Sequence, residues 1–346
     1  MTTPAPKSQS APVNDRIGVV LGQIGAPQEL STKSIRAYLK EFLSDERIID
    51  RPRWQWFPIL YGLVLPNRPK RVVKQHAEIW MDEGSPLLIT SEAQRDGIQE
   101  RLGDRYQVEL GLAYSEPSMA RAVRNLEEAG IRKIVVLPLF PQYSNSTTAS
   151  IYDAIMFNAL GRGRRRRLPV KKYSPTLRFI HPYFNDPDYI KVLASSVDRQ
   201  LAAGTAPDRV VISFHGVPQN FVDEGDPYRT QCEETTRLLA EALDWPAGSY
   251  EMAFQSRFGR TEWIKPYLQP RLGELFDDGV ERPAIISPGF TTDCLETLHE
   301  IAIDGRDLFR KGGGDPAKYR TVDCLNAEPE WLDYAAALIE KNSGGW

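Results

Sequence analysis

The feature that most constrains the fold is an internal repeat, because the second half of the chain follows the pattern of the first. The matching segments, in order, are residues 17–27 with 210–218, 106–114 with 250–258, and 127–144 with 277–293. Each contains a short apolar run typical of a buried strand, and helical stretches long enough for crossovers separate the runs. Strands that alternate with helices form parallel sheets covered on both faces. We therefore predict an α/β fold of two similar lobes whose parallel sheets face a central cleft.

The length of the chain agrees with two lobes, because 346 residues exceed what one hydrophobic core normally supports. We predict an N-terminal lobe at residues 16–180 and a C-terminal lobe at residues 181–325. Residues 326–346 are predicted to contain a helix that packs back on the first lobe. Residues 1–15 are polar and rich in Pro and Ser, which predicts a disordered tail.

The charge pattern argues against a nucleic-acid partner. The formal net charge is −3, so the chain as a whole does not attract a polyanion. Residues 161–172 form a basic run, but no interleaved aromatic residues or zinc-ligand spacings accompany it. We interpret this run as a solvated loop or as a contact to anionic lipid.

The cysteine and hydropathy patterns predict a cytoplasmic protein. Cys232, Cys294 and Cys324 are widely spaced and odd in number, which argues against a disulfide framework and indicates a reducing compartment. Three thiolates also cannot complete a four-cysteine zinc or iron-sulfur site within one chain. The N-terminal residues lack the apolar region of a signal peptide, and no apolar run approaches the ~20 residues of a membrane span.

Residues 285–307 combine the end of a buried strand with a predicted helix that opens near Thr292 or Asp293. At about 100° per residue, one stripe of this helix carries five carboxylates. These are Asp293, Glu296, Glu300, Asp304 and Asp307, with Leu295, Leu298 and Ala302 on the opposite side. One interpretation is a solvated acidic face with a capping box. The other is a row of oxygen ligands at a cleft mouth, which holds or passes a divalent cation.

His215 follows the first predicted strand of the second lobe, where a loop after the strand directs it towards the cleft. Imidazole has an unperturbed pKa of about 6.5, so it can both accept a proton and bind a divalent metal near neutral pH. A single histidine at a strand end is more often structural. The acidic helix predicted on the same face of the cleft favours a chemical role.

The most apolar segment outside the strands lies at residues 54–65, and a basic cluster follows it. Pro58 and Gly62 argue against one long regular helix. The segment is either part of the core or an exposed lip, at residues 52–75, on an anionic membrane or at the rim of a pocket for a flat apolar ligand. The adjacent basic residues favour the lip, because they need solvent or anions to face.

Several of these segments resemble the signature segments of ferrochelatases, the terminal enzymes of haem synthesis. They are GSPL, PLFPQYSNSTTAS, SFHGVP, QSRFGRTEW and PGFTTDCLETLHEI, in this order along the chain. The similarity extends from about Asp15 to the C-terminal region. The resemblance implies a chelatase-like fold with two Rossmann-like lobes. It also implies a lyase that inserts Fe²⁺ into protoporphyrin IX, releases two protons and uses no nucleotide.

The resemblance also implies roles for individual residues. The invariant histidine of the family matches His215, and its active-site glutamate matches Glu296; both are assigned to catalysis and to metal binding. The further acidic positions of the family match Glu300 and Asp304, which are assigned to the metal path. The implied porphyrin contacts are Ile24, Ser85, Tyr114, Trp263 and Phe290. Which of His215 and Glu296 takes protons and which handles iron stays open.

The resemblance implies a cluster-free bacterial form with no tightly bound cofactor. Asn145 lies in the PQYSNSTT segment, and the C-terminal cysteines that hold an iron-sulfur cluster in animal members are lacking. Many members carry a histidine at the position of Cys294, so no second catalytic histidine is assigned. The expected partners are protoporphyrin IX, Fe²⁺ and, by peripheral contact, an anionic membrane.

Two alternative functions remain. One is a chelatase for another metal or tetrapyrrole, such as cobalt or coproporphyrin III. Relatives that act on coproporphyrin often have a tyrosine where Ile24 stands, so an apolar residue there favours protoporphyrin. The other alternative is a non-enzymatic haem carrier, in which the acidic helix would have no task.

Overall fold

The computed structural model of the chain describes residues 14–160, 171–259 and 261–346. Most of the predicted tail (1–13) and of the basic run (161–170) lies outside these described residues. The first strand begins at Asn14, two residues before the predicted start of the N-terminal lobe.

The main elements of the N-terminal lobe, within the described ranges, alternate between strands and helices. They are β1 (Asn14–Gln23), α1 (Thr32–Leu43), α2 (Arg53–Ile59), α3 (Leu65–Ala77), α4 (Pro86–Leu102), β2 (Tyr106–Leu112), α5 (Met119–Glu128), β3 (Ile131–Pro138), α6 (Thr148–Leu160) and β4 (Thr176–Phe179). A five-residue π-helical turn at Leu60–Val64 joins α2 to α3.

The C-terminal lobe repeats this alternation. Its elements are α7 (Pro187–Ala202), β5 (Arg209–His215), α8 (Gln219–Asp223), α9 (Tyr228–Ala242), β6 (Tyr250–Gln255), α10 (Leu268–Glu274), β7 (Pro283–Ile286), a π-helix (Glu296–Gly305), α11 (Arg306–Lys311) and β8 (Arg320–Thr321). A last helix, α12 (Pro329–Ser343), follows.

The two sheets have equivalent topologies, which confirms the predicted α/β fold. The strand orders are β2-β1-β3-β4 and β6-β5-β7-β8, and every pairing between these strands is parallel. The central strands β1 and β5 are apolar because helices cover both sheet faces, and Val19, Val20 and Leu21 are fully buried. The repeat in the sequence therefore reflects a repeat in the topology, with β1, β2 and β3 equivalent to β5, β6 and β7.

The start of α4 differs from the sequence expectation. The pattern at residues 79–86 predicts a helix that ends at Gly84, with Ser85 and Pro86 turning the chain. Instead, residues 78–84 form a turn after α3, Gly84 has φ +138°, and Ser85 is the N-cap of α4. Pro86 occupies the first turn of the new helix, where its fixed φ is favourable and its missing N–H costs nothing.

The C-terminal helix α12 packs against both lobes. It contacts α4 and β3 of the N-terminal lobe and α7 of the C-terminal lobe. Trp331 is fully buried, and its ring centroid lies 6.1 Å from that of Tyr183 and 6.4 Å from that of Tyr189, both in the first part of the predicted C-terminal lobe. The helix therefore joins the two lobes, and aromatic packing fixes it on the C-terminal one.

The segment predicted as core or lip has both characters. Leu60 and Leu65 are buried in a cluster with α1, and the Trp56 Nε1 donates a hydrogen bond of 2.7 Å to the Leu43 carbonyl. The opposite side is exposed, with 77% of Trp54 and 63% of Leu63 accessible to solvent. Within the described residues, no helix combines the length and the apolar character needed to cross a bilayer.

Candidate active site

His215 ends β5 at the carboxyl edge of the second sheet, where the parallel register sets it beside Gln255 of β6. Its Nδ1 lies 2.6 Å from the carbonyl oxygen of Gly216. A carbonyl oxygen only accepts, so this contact requires the hydrogen on Nδ1. In the neutral ring, the lone pair of Nε2 is then the one available to a proton or a metal ion.

Gly216 allows an aromatic wall to approach His215. A side chain at this position would bring its Cβ within 3.0 Å of the Trp263 ring and 2.9 Å of the Gln255 carbonyl oxygen. The ring centroids of Trp263 and His215 lie 6.2 Å apart, and Phe258 packs edge-on against Trp263 at 4.9 Å. The glycine of the SFHG segment thus has a packing role next to the histidine.

The acidic helix differs from the prediction in geometry. Residues 296–305 form a π-helix, so the five carboxylates do not share the single stripe expected at 100° per residue. Asp293 points inward and accepts hydrogen bonds from Asn326 and Thr297, each at 2.7 Å. Asp307 lies on the surface and pairs with Arg310 and Lys311.

The prediction of which residues form the apolar side of that helix is also wrong. Leu295, Leu298 and Ala302 are only half-buried, whereas Thr297 and Ile301 lie in the interior. Ile301 packs in a cluster of the C-terminal lobe with Leu268 and Tyr319.

Glu300 is hydrogen-bonded directly to the edge of the sheet at which β5 ends in His215. It accepts hydrogen bonds from the backbone nitrogen of Ser256 at 2.7 Å and from its hydroxyl at 2.5 Å, and one from Gln269. Burial raises its pKa, the charge of Glu296 acts in the same direction, and His215 and the Ser256 hydrogen bonds oppose them. Because β5 and β6 are neighbours, His215 and Ser256 belong to the same strand-end edge.

Glu296 begins the π-helix one turn before Glu300. The Gln255 side chain donates a hydrogen bond of 3.1 Å to its carbonyl oxygen and accepts one of 2.6 Å from the Ser213 hydroxyl. Gln255 therefore joins the His215 strand to the start of the Glu296 helix. His215, Glu296 and Glu300 are brought together at one edge of the sheet.

Replacing Glu300 with Gln should remove a pH-dependent cost of folding. The pKa of this carboxyl in the folded protein lies above its ordinary value of 4.5. Between that ordinary value and the raised one, the folded state binds more protons than the unfolded state, so wild-type stability falls as pH rises through this window. The Glu300→Gln variant should lack that fall, and urea unfolding from pH 4 to 8 measures it. Parallel pH profiles for the two proteins would contradict the expectation.

Asp304 lies beside a second histidine. It is exposed, and its carboxylate lies 3.4 Å from Nδ1 of His299, whose Nε2 lies 3.6 Å from Glu78. Among the described residues, no group of three His, Cys, Asp or Glu side chains is arranged to hold a metal ion.

The predicted porphyrin contacts come from both lobes. Ile24 follows β1 and is half-buried, and Ser85 starts α4. Tyr114 is buried, and its hydroxyl donates a hydrogen bond of 2.7 Å to Asp45. Phe290 of the second lobe packs on a small apolar cluster formed by Ala26, Leu87 and Cys294. Phe290 thus contacts the N-terminal lobe at Ala26 and Leu87, each two residues after a predicted porphyrin contact, Ile24 and Ser85.

Comparison with known proteins identifies the family. A sequence profile described as Ferrochelatase matches residues 16–343. The ferrochelatase of Photobacterium profundum is 40% identical over 333 residues, which cover 96% of this chain and 99% of the relative. The chain belongs to the ferrochelatase family. The ferrochelatases of Bordetella pertussis (42% identity, 96% of this chain, 89% of the relative) and Vibrio cholerae serotype O1 (41%, 94% and 98%) are similarly related.

A solved structure supports the fold independently of sequence. The sirohydrochlorin chelatase SirB from Bacillus subtilis subspecies spizizenii, in complex with cobalt, superposes with a TM-score of 0.54 at 11% identity. The match covers 95% of this chain and 97% of that chain. At this identity the likeness concerns the fold alone, and it agrees with two Rossmann-like lobes.

Three side chains near Glu296 extend the set that the ferrochelatase motifs supply. They are Tyr38 of α1 and Arg68 and His76 of α3. Burial and then the charge of Glu296 raise the pKa of Tyr38. Burial lowers the pKa of Arg68 and of His76, and the negative charge of Glu296 acts in the opposite direction on both. The lip helix α3 and its neighbour α1 therefore face the acidic end of the site.

One sequence signal pointed to this side of the site. His76 shares the buried face of α3 with Leu65, Pro69 and Val72, so a histidine stands on an apolar helical stripe. Arg68 is read in the sequence only as part of the basic cluster, and nothing in the pattern singles out Tyr38.

Proposed function

We propose that this chain inserts Fe²⁺ into protoporphyrin IX with release of two protons, and that His215 and Glu296 act on opposite faces of the ring. Ferrochelatases are metal chelatases of the lyase class, and iron insertion into protoporphyrin is the general function of the family. The observation that carries the proposal is the convergence of His215, Glu296 and Glu300 at one strand-end edge, held by Gln255 and Ser256.

The chemistry requires groups of these kinds. The macrocycle must lose two pyrrole protons and admit an ion that sheds its water. A base at each face removes the protons, and an anionic oxygen or an imidazole nitrogen replaces water on the ion. His215 offers Nε2 because its Nδ1 is engaged, and Glu296 offers a carboxylate.

Apolar groups from both lobes would hold the ring. Trp263, Phe290 and Ile24 are the residues we assign to this task, with Ser85 and Tyr114 beside them. A ring held on both faces can be bent so that nitrogen lone pairs point out of its plane towards the ion. The edge-on packing of Phe258 and the absence of a side chain at Gly216 fix Trp263 next to His215.

Glu300 and Asp304 are proposed to pass the ion or the released protons outward. Glu300 suits proton transfer because its raised pKa keeps a proton on the carboxyl at a higher pH than an ordinary glutamate. Asp304 would be the outer group, since it is exposed and contacts His299.

Anaerobic mixing of the purified protein with protoporphyrin IX and Fe²⁺ tests the function directly. Porphyrin fluorescence should disappear with multiple turnovers, because insertion of iron quenches it. Parallel reactions with Co²⁺ and with coproporphyrin III test the alternative chelatase. A haem carrier would bind haem without consuming porphyrin and iron, so a stoichiometric signal without turnover would refute the enzyme. Metal analysis of the purified protein tests the prediction that no iron-sulfur cluster or other cofactor is tightly bound.

We also propose that the protein is cytoplasmic and that its lip, residues 52–75, contacts an anionic membrane. The support is an exposed apolar surface that includes Trp54, Tyr61 and Leu63. Exposed Lys70 and Arg71 follow on α3, where they can face lipid headgroups.

Replacing Trp54 and Leu63 together with Ser should weaken binding to vesicles of anionic phospholipid about tenfold or more, because two large apolar side chains lose their insertion. Trp56 is left intact, since it packs on α1. Vesicle flotation measures the effect, and Phe276→Ser is the control, an aromatic residue 41% exposed on the C-terminal lobe. Equal partitioning of all three proteins would remove the lip assignment.

A further inference from the structure

Gln94 joins the two lobes at the segment that leads into Glu296. It lies on α4 of the N-terminal lobe and is fully buried. Its Nε2 donates a hydrogen bond of 3.1 Å to the carbonyl oxygen of Thr291 in the C-terminal lobe, and one of 2.7 Å to that of Asn326, the first residue after that lobe. Thr291 lies two residues before Asp293 in the chain, and Asn326 lies on a later segment that hydrogen-bonds to Asp293.

Asn326 transmits this contact to the start of the acidic helix. Its φ of +47° lies in the left-handed region, and its side chain forms a double contact with Asp293. The side-chain Oδ1 of Asn326 accepts a hydrogen bond of 2.9 Å from the Asp293 backbone nitrogen, and its Nδ2 donates one of 2.7 Å to the Asp293 carboxylate. Asp293 then accepts a hydrogen bond of 2.7 Å from Thr297. Thr297 lies one residue after Glu296, so the chain of contacts reaches the proposed catalytic carboxylate.

Two further contacts attach the same segment to the N-terminal lobe. The Thr291 hydroxyl donates a hydrogen bond of 3.0 Å to the carbonyl oxygen of Leu139, just after β3. Leu87, on the first turn of α4, packs against Cys294 and Phe290. The helix α4 therefore touches this segment near Ser85, at the proposed porphyrin site, and again at Gln94.

We propose that Gln94 is a positioning residue that sets the place of Glu296 relative to the porphyrin-gripping residues of the N-terminal lobe. The proposal rests on the proposed function for its catalytic consequence. His215 and Glu296 both belong to the C-terminal lobe, whereas Ile24 and Ser85 belong to the other. A carboxamide that binds across the lobes fixes the distance between the two sets. In this proposal Gln94 acts through Glu296 and is assigned no contact with the substrate.

The variants separate this role from a general loss of stability. Gln94→Leu keeps the size of the side chain and removes both hydrogen bonds. Gln99→Leu is the matched control, because Gln99 lies on the same helix and its Nε2 also donates to two carbonyl oxygens. Those acceptors, Gly103 at 3.1 Å and Tyr106 at 3.2 Å, belong to the N-terminal lobe. Asn326→Gly opens the other end of the contact and keeps the positive φ, which glycine tolerates.

Amide hydrogen exchange measures how firmly the Gln94 contact holds the segment around Asp293, whether or not the protein is active. In Gln94→Leu and Asn326→Gly, amides of residues 293–300 should exchange about tenfold faster than in the wild type, and in Gln99→Leu at the wild-type rate. Anaerobic kinetics with Fe²⁺ should then show kcat reduced about tenfold with KM for protoporphyrin changed less than about twofold. A loss of folded protein alone would lower the active fraction of every destabilised variant, Gln99→Leu included.

Combining Gln94→Leu with Asn326→Gly completes the test. If the two substitutions act through one contact, the kcat of the double variant should equal that of the less active single variant. A double variant whose fold-loss in kcat is the product of the two single fold-losses would overturn the proposal. Unchanged exchange at residues 293–300 overturns it as well, as does faster exchange with unchanged kcat. An inactive wild type would instead refute the proposed function, while the exchange measurement would still decide whether Gln94 holds this segment.

Discussion

Glu296→Gln should reduce iron insertion about 10²–10⁴-fold while protoporphyrin still binds. The amide has the shape of the carboxylate, so the π-helix and the Gln255 contact to the backbone of residue 296 are kept. It cannot accept a pyrrole proton at neutral pH, and it is a weaker ligand for a divalent ion than an anionic oxygen. Anaerobic turnover measures the loss, and quenching of tryptophan fluorescence on titration with porphyrin measures binding.

Asp307→Asn is the matched control for this variant. It makes the same change of a carboxylate to an amide on the predicted acidic stripe, but Asp307 lies on the surface against Arg310 and Lys311. Turnover of Asp307→Asn should stay within about twofold of the wild type, as expected for a surface substitution. A Glu296→Gln protein with near-normal kcat, or equal losses in both variants, would remove the role assigned to Glu296.

The fold was predictable because its signals are local and repeated. Apolar runs mark β1, β3 and β5, and the order of elements requires parallel sheets. The predicted start of α4 is wrong because the pattern predicts a turn at Pro86, whereas at the first position of a helix proline is favourable. Both outcomes follow from short-range sequence chemistry.

The acidic helix shows where periodicity fails. A stripe drawn at 100° per residue assumes hydrogen bonds between residues four apart, and a π-helix shifts them to five. The choice depends on contacts made far along the chain, such as Ser256 with Glu300 and Tyr319 with the Ile301 carbonyl. No window around residues 293–307 contains that information.

The site was predicted on one side only. His215 and Glu296 stand in compact motifs after strands, so the resemblance to ferrochelatases singles them out as candidates. Tyr38, Arg68 and His76 stand on helices without a motif, and only the folding of the lip over the second lobe brings them to Glu296. Residues that reach a site through tertiary contact leave little pattern in a single sequence, and here the one signal is His76 on the apolar stripe of α3.

His215→Ala should also lower kcat about 10²–10⁴-fold, and added imidazole should restore part of it. The variant removes the ring at the end of β5 and leaves a space beside Trp263, where free imidazole can enter. Free imidazole supplies a nitrogen lone pair that can accept a proton or bind the ion. Rescue would therefore indicate that the His215 ring acts chemically and does not only support the fold. Anaerobic turnover at increasing imidazole concentration measures it.

His181→Ala provides the control for this last variant. Its Nδ1 contacts the carbonyl oxygen of the next residue at 3.2 Å, as that of His215 does at 2.6 Å, but the His181 ring is exposed at the predicted start of the C-terminal lobe. Turnover of His181→Ala should match the wild type with and without imidazole. If His215→Ala retained full activity, the proton would have to leave through Glu296 and Glu300 alone, and the division of the chemistry between two faces of the ring would be lost. If imidazole failed to rescue an inactive but folded variant, His215 would be a support for Trp263 rather than a base or ligand.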